Sequence, residues 1–511
     1  MADLLSKDSA SAIEKQELHN IDEVALDGHA ATDKYGHALV QIDEAAEARL
    51  RRKIDRRIVP MVALLYLFCF IDRANIGNAR IAGMEKDLDI LPPKYGGYGY
   101  NLLLTAFYIA YVVFEPPCNA LCKAIGPGRY LPALSFLFGL FSFVYAFVDH
   151  FWSAFLVRFL LGIAEAGVFP GFAFYLSRWY RKDELGFRLA MYIVMAPLAG
   201  AFGGLLASGF LSTSGFGKIT TWRIIFFAEG LITMGIAIIS WFVLCDSPEA
   251  AKWLSDEEKK LAAARIKSEN VGSLEAIEGA HAKVVKKAIF NPTTQIVGLI
   301  FLLDNITVQG LGFFLPTIIR TIFPKYTVIH QQLMSVPPYL VGGLFTLLVP
   351  YLSWKMRRRA LFMTISAPFM IMGFGIFLGT SNARARYAGT FLIAIGAFSF
   401  GALCNAWSAA NTSSDTAKAA ALGTTVFYGN IGGLISTWSY QAKYAPSQIP
   451  GNSMNAGTSS AILLLTVGLW LWQIRENKAK EAGRDDHYLE GKTPEEASML
   501  EQQHPGFRYR T

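Results

Sequence analysis

Four ionisable side chains, Asp72, Arg158, Glu165 and Asp304, stand inside stretches of sequence that are otherwise almost wholly apolar. A charge at the centre of a hydrocarbon layer costs at least ~2.5–3.5 kcal/mol, so each must be compensated by a partner, a proton or a wet passage. Arg158 and Glu165 share one run, which also holds Gly162, Gly167 and Gly171. Two helical turns bring the pair to one face about 10 Å apart along the axis, too far for a direct ion pair. Each therefore needs another partner. One reading makes Arg158 the receptor for an anion, through its forked guanidinium, and Glu165 the carrier of a proton. The other makes Arg158 a donor to backbone carbonyls and Glu165 half of an ion pair between helices.

Asp72 opens the run Asp72-Arg73-Ala74-Asn75-Ile76-Gly77-Asn78. Adjacent helical residues point about 100° apart, so Asp72 and Arg73 cannot both face one partner. Asp72 and Asn75 share a face that Asn78 continues. That polar stripe suits the wall of a water-filled cavity; equally, Asp72 could pair with a basic residue of another helix. Asp304, Asn305 and Gln309 fall near the middle of a later apolar run and are expected to line a cavity. Glu229 lies a turn or two from the end of its run, where snorkelling or pairing with Arg223 is expected. Cys118 and Cys122 share a helix face as packing residues, and His150, His281 and His330 sit in separate loops. Neither group has metal-ligand spacing, so no metal or cofactor is expected. No nucleophile elbow or phosphate loop is present, which argues against an enzyme.

The elements that must position these residues follow from composition. The 511-residue chain is 53% hydrophobic and 13% aromatic, with only 17% charged residues, and its mean hydropathy is +0.32. A soluble chain carries roughly 25% charged residues. A bilayer core about 30 Å thick takes roughly 20 apolar helical residues. That window predicts spans near 59–79, 97–121, 129–149, 152–175, 188–212 and 223–245, then a charged stretch, then spans near 291–319, 331–353, 360–380, 386–408, 418–442 and 457–474. The predicted architecture is an all-α membrane protein with twelve transmembrane helices in two pseudo-symmetric six-helix bundles. Its segments are a tail (1–57), a first bundle (58–245), a central linker (246–290), a second bundle (291–475) and a second tail (476–511).

The net charge of +7 does not form a basic stripe with interleaved aromatics, so nucleic acid is not an expected partner. Basic residues cluster instead at one set of span ends: Arg51, Arg52, Lys53, Arg56 and Arg57; Arg178, Arg181, Lys182 and Arg188; Lys355 and Arg357 to Arg359. The positive-inside rule then makes both termini cytoplasmic. The polar first fifty residues contain no apolar segment of the kind that precedes signal cleavage. The halves echo each other: Asp72 lies twelve residues past Pro60 and Asp304 twelve past Pro292, each proline being expected in the first turn of its helix.

Taken in order, these runs resemble the major facilitator superfamily, in particular the fungal anion:cation symporters that include allantoate and nicotinic acid permeases. The resemblance runs from about Arg52 to the closing His504-Pro-Gly-Phe-Arg-Tyr509. It is carried by Asp72 to Ala79, by Arg158 through Glu165 to Pro170, by Phe314-Leu-Pro316, and by Ala406-Trp407 with Asn411. The family implies a rocker-switch pair of six-helix halves and proton-coupled uptake of small organic anions such as nicotinate, allantoate or pantothenate. It implies substrate contact at Arg158 and proton coupling at Glu165, Asp72 and Asp304, to which the residue reading adds Asn75, Asn305 and Gln309 as substrate contacts. Some motifs depart from the family pattern. The loop Asn119 to Arg129 lacks the usual acid, Ser353-Trp354-Lys355 stands where Ser-Asp-Arg is expected, and Ala417-Lys418 replaces a common Lys-Arg. These departures bear on gating more than on fold.

The expectation is thus a monomeric multi-pass transporter of the plasma membrane of a fungus, with both termini cytoplasmic, whose partners are a small organic anion, protons and the bilayer. A proton-antiport efflux pump is the alternative, and a non-transporting nutrient sensor the third reading. Pro197 to Gly200 only partly matches an antiporter motif.

Overall fold

The computed structural model describes residues 44–91, 93–213, 215, 217–270, 278–412, 415–489 and 501–510. Among the described residues nine helices are long and apolar enough to cross a membrane: Gly99–Ile125, Phe151–Ser177, Met191–Leu211, Trp222–Val243, Pro292–Ile322, Val328–Met356, Arg359–Gly379, Ala383–Ala410 and Ile449–Glu481. Three more, Glu44–Ile81, Pro127–Tyr145 and Asp415–Ser436, pack among them and complete the twelve spans. Numbered in chain order, Glu44–Ile81 is the first span, Pro127–Tyr145 the third and Asp415–Ser436 the eleventh. An even number of crossings brings the start of the first long helix and the end of the last to one face of the bundle, the terminal face; the opposite end is the far face.

Large apolar side chains, among them Phe242, Leu464, Trp152, Val113 and Leu344, stand exposed around the outside. Such a surface suits hydrocarbon, where every backbone polar group must bond within its own helix. Inside, one apolar core runs through the first six spans, around Tyr66, Phe138, Phe172 and Trp222. A second runs through the last six, around Ile300, Met370, Phe400 and Trp407. A third cluster joins Ala201 of the fifth span to Leu311, Tyr339 and Phe398 and forms part of the seam between halves. There Gly200 lies so close to Tyr339 that an added Cβ would stand 2.6 Å from its ring. The small residues of the fifth span thus serve close approach across the seam.

The first span differs from expectation. Its helix begins at Glu44, so Pro60 lies inside it rather than in its first turn. The charged stretch before Pro60 is a good helix former with its own apolar face: Leu50, Ile54 and Ile58 are fully buried. Pro292 does open the seventh span, with Asn291 accepting from the Thr293 backbone N–H at 2.8 Å. The echo between halves therefore holds in sequence spacing but not in helix position.

The stretch between the halves carries two helices, Asp256–Asn270 and Glu278–Ile289. Arg265 in the former is buried and bonds Glu47 and both oxygens of Glu184 at 2.8 Å, while Lys53 bonds Glu258 at 2.6 Å. This strap ties the linker to the terminal face of the first half. Asp246, just past the sixth span, accepts from the Gly128 N–H at 2.8 Å and lies 3.9 Å from Arg129. The acid missing from the loop between spans two and three is thus supplied from elsewhere in the chain. Residues 1–43, most of the expected first tail, lie outside the described residues.

Candidate functional site

Between the halves lies a central cavity of about 920 Å³, including the space at its opening. Behind one wall, a Cβ on Gly162 would stand 2.3 Å from the Phe107 carbonyl oxygen, so spans two and four touch backbone to backbone. This close packing places Glu165 at the cavity, fully buried. Its partner is Arg73 of the first span, whose Nε and Nη2 both donate to Glu165 Oε2, at 3.1 and 2.8 Å. The Cys69 thiol approaches the same oxygen at 3.5 Å, whereas Oε1 has no hydrogen-bond partner. The guanidinium carbon of Arg73 also sits 4.8, 5.2 and 5.0 Å from the ring centroids of Phe70, Phe107 and Tyr111. Aromatic faces of this kind attract a cation that has left water.

The seventh span forms the other wall. Asp304, Asn305 and Gln309 all line the cavity. Both carboxylate oxygens of Asp304 are buried without a hydrogen-bond partner among the described residues. Asn305 donates to the Phe301 carbonyl at 3.0 Å, and Asn405 of the tenth span to the Gly401 carbonyl at 2.8 Å. Asn430 of the eleventh span donates to Glu115 of the second at 2.6 Å, tying the halves together beside the cavity. At the far face the halves meet through more contacts. The Tyr100 hydroxyl donates to the Phe313 carbonyl at 3.0 Å, Asn101 to the Thr437 carbonyl at 2.6 Å and Gln332 to the Asn78 carbonyl at 3.3 Å. The Thr105 and Thr437 hydroxyls lie 3.2 Å apart.

Of the residues expected at the site, Glu165, Asp304, Asn305 and Gln309 come together; Asp72, Asn75 and Arg158 do not line the cavity. Asp72 turns into the first half, where Ser142 of the third span donates at 2.9 Å and Thr233 of the sixth at 3.5 Å. Asn75 is buried with Asn78 bonded to it at 3.3 Å. Arg158 lies nearer the far face than Glu165, with its guanidinium 4.8 Å from Tyr145 and 5.5 Å from Phe226, and its Nε and Nη2 lack hydrogen-bond partners. The step of about 10 Å between Arg158 and Glu165 sets them against different neighbours, spans three and six for the one and span one for the other. Glu229 is corrected as well. It is fully buried with both oxygens unpartnered, while Arg223 pairs with Asp87 at 2.9 Å and Asp149 at 3.0 Å.

Arg73, Tyr111, Asn405 and Asn430 are among the polar cavity residues that the sequence did not single out as site residues. A signal for Arg73 was available. Asp72 and Arg73 must face different ways, and it is Arg73 that faces the cavity.

Two helical halves around a buried cavity that carries a few charged and amide side chains on largely apolar walls, closed together at one face, have the build of a membrane transporter. Residues 62–437 match the model of the Major Facilitator Superfamily, and the chain belongs to that superfamily, among its fungal transporters. It is 33% identical to an uncharacterised transporter of Schizosaccharomyces pombe, over 86% of this chain and 89% of that one. It is 30% identical to the high-affinity nicotinic acid transporter of Saccharomyces cerevisiae, over 91% of this chain and 85% of the relative. The crystal structure of a D-xylose–proton symporter shares the fold, with a TM-score of 0.61 at 13% identity, over 80% of this chain and 96% of the other.

Proposed function

We propose that this transporter carries a small organic anion together with a proton by alternating access, with Arg73 as the anion receptor and Glu165 as the proton site. The observation that carries the reading is the Arg73–Glu165 pair on the cavity wall. While Glu165 is ionised it occupies the fork of Arg73. Once protonated it can no longer hold that fork, and the guanidinium is free for the carboxylate of a substrate. Proton and anion therefore bind each in support of the other. Asn305, Gln309, Asn405 and Asn430 would orient the rest of the substrate, and the unpartnered Asp304 offers a second proton site or an acceptor for a substrate N–H. Asp72, Asn75 and Arg158 act in this reading by holding the first half together. The similarity to a nicotinic acid transporter supports a carboxylate of vitamin size. The clustered basic residues support cytoplasmic termini, and uptake across the plasma membrane is the direction we favour.

The test is uptake into proteoliposomes under an imposed pH gradient, with labelled nicotinate as first probe and a panel of small carboxylates beside it. Arg73→Gln should raise the KM at least about tenfold, the loss expected for a hydrogen-bonded charge pair. Glu165→Gln, a mimic of the protonated state, should keep anion exchange yet lose accumulation driven by the pH gradient. Unchanged affinity in the first variant removes Arg73 from the site. Unchanged pH-driven accumulation in the second removes Glu165 as the proton carrier.

A further inference from the structure

On the terminal face of the second half lies an open basin, separate from the central cavity, of about 1300 Å³ including its mouth. Among the described residues its walls carry four cations and no carboxylate: Arg359 at the start of the ninth span, Lys418 in the first turns of the eleventh, and Arg508 and Arg510 of the closing segment. Among the described residues only Arg508 has an acidic neighbour, Glu481 at 3.8 Å. Arg357 and Arg358 stand exposed beside Arg359.

The closing segment is held in place to make this basin. The Asn411 side chain accepts from the Arg510 N–H at 2.8 Å and donates to the Arg510 carbonyl at 3.1 Å. Asn477 does the same for Tyr509, at 2.8 Å in both directions. The indole N–H of Trp407 donates to the Arg510 carbonyl at 3.1 Å. In an extended chain alternate residues face opposite sides. Tyr509 is accordingly buried, its ring centroid 5.2 Å from that of Trp472, whereas Arg508 and Arg510 stand exposed at the basin. Like charges gathered at one basin, with no acid among its described lining residues, repel one another, and an anion would relieve that repulsion.

We propose that this basin binds a polyphosphorylated anion, either a phosphoinositide headgroup or a soluble polyphosphate. Two guanidinium forks from the closing segment would meet a third from Arg359, with the Lys418 ammonium completing the set. Guanidinium groups bind phosphate oxygens through paired hydrogen bonds, and basic pockets between membrane helices take multiply charged headgroups. Because two of the ligands belong to the closing segment, binding would also fasten that segment to the ninth and eleventh spans.

The test uses the full chain in nanodiscs. In discs of phosphatidylcholine alone, sodium tripolyphosphate is titrated by calorimetry. In parallel, discs with and without a few per cent phosphatidylinositol bisphosphate are compared by thermal unfolding. Binding of tripolyphosphate in neutral discs marks a soluble ligand; stabilisation by the lipid alone marks a headgroup. In either arm Arg359→Gln with Arg510→Gln should weaken the effect at least about tenfold. Lys418→Gln alone, an exposed change that leaves the clamp intact, should weaken it less, and Arg52→Gln on the first span should leave it unchanged. The proposal is overturned by absence of an effect in both arms, or by one that Arg359→Gln/Arg510→Gln and Arg52→Gln alter equally.

Discussion

At the Arg73–Glu165 pair, both hydrogen bonds converge on one carboxylate oxygen and the other is left bare. A buried pair of this kind is mutually dependent. Removing one partner strands the other charge at a cost of about 3–5 kcal/mol, while removing both restores much of that loss. Arg73→Ala and Glu165→Ala should each lower the unfolding temperature in detergent more than the double variant does. Additive losses would mean that the two side chains are stabilised independently. At this scale part of the site was legible in the sequence. Glu165, Asp304, Asn305 and Gln309 stand out because polar groups in apolar runs need a reason, and all four reach the cavity. Arg73 was harder to choose over Asp72, because spacing says that the two diverge but not which one faces inward. That depends on how the first helix is rotated, and the rotation is tied to Ser142 and Thr233, hydroxyls on two other spans. Such small polar residues leave no mark in a hydropathy profile.

Helix by helix, apolar length located nearly every span within a few residues, from the fourth, expected at 152–175 and found as Phe151–Ser177, to the ninth, expected at 360–380 and found as Arg359–Gly379. The misses lie where water takes over from lipid. The first helix extends back to Glu44, the fifth is preceded by the helix Lys182–Ile193, and the last runs on to Glu481. A charged segment can be helical without being apolar, so a hydropathy window stops short of it. The contact between spans two and eleven carries the prediction at this scale. Because the hydroxyls of Thr105 and Thr437 lie 3.2 Å apart, sulfur atoms in their place would be within reach of a bond of about 2.05 Å after slight adjustment. Thr105→Cys with Thr437→Cys should transport when reduced, stop when oxidised and recover with reductant. Continued uptake in the fully cross-linked protein would show that the far face need not open.

For the whole molecule, two halves that meet mainly at the far face enclose one cavity whose charges come from both. The two-by-six layout was readable from the order of apolar runs. The seam was not, because it is built from backbone carbonyls of Phe313, Thr437 and Asn78 accepting from Tyr100, Asn101 and Gln332. Every residue offers a carbonyl, so no residue type announces one.

The Arg73–Glu165 pair has an electrical consequence for the cycle proposed above. Empty, the pair sums to zero. With Glu165 protonated and a singly charged anion on Arg73, it again sums to zero. A carrier holding only the proton or only the anion bears a unit charge through a medium of low dielectric, where unit charges are costly. With Asp304 in one protonation state throughout, both complete legs of the cycle are therefore electrically silent, and slippage of either passenger alone is discouraged without any mechanical latch. Accumulation of a monoanion should follow the pH gradient and ignore an imposed potassium diffusion potential. A rate that tracks voltage would mean that more than one proton travels with each anion.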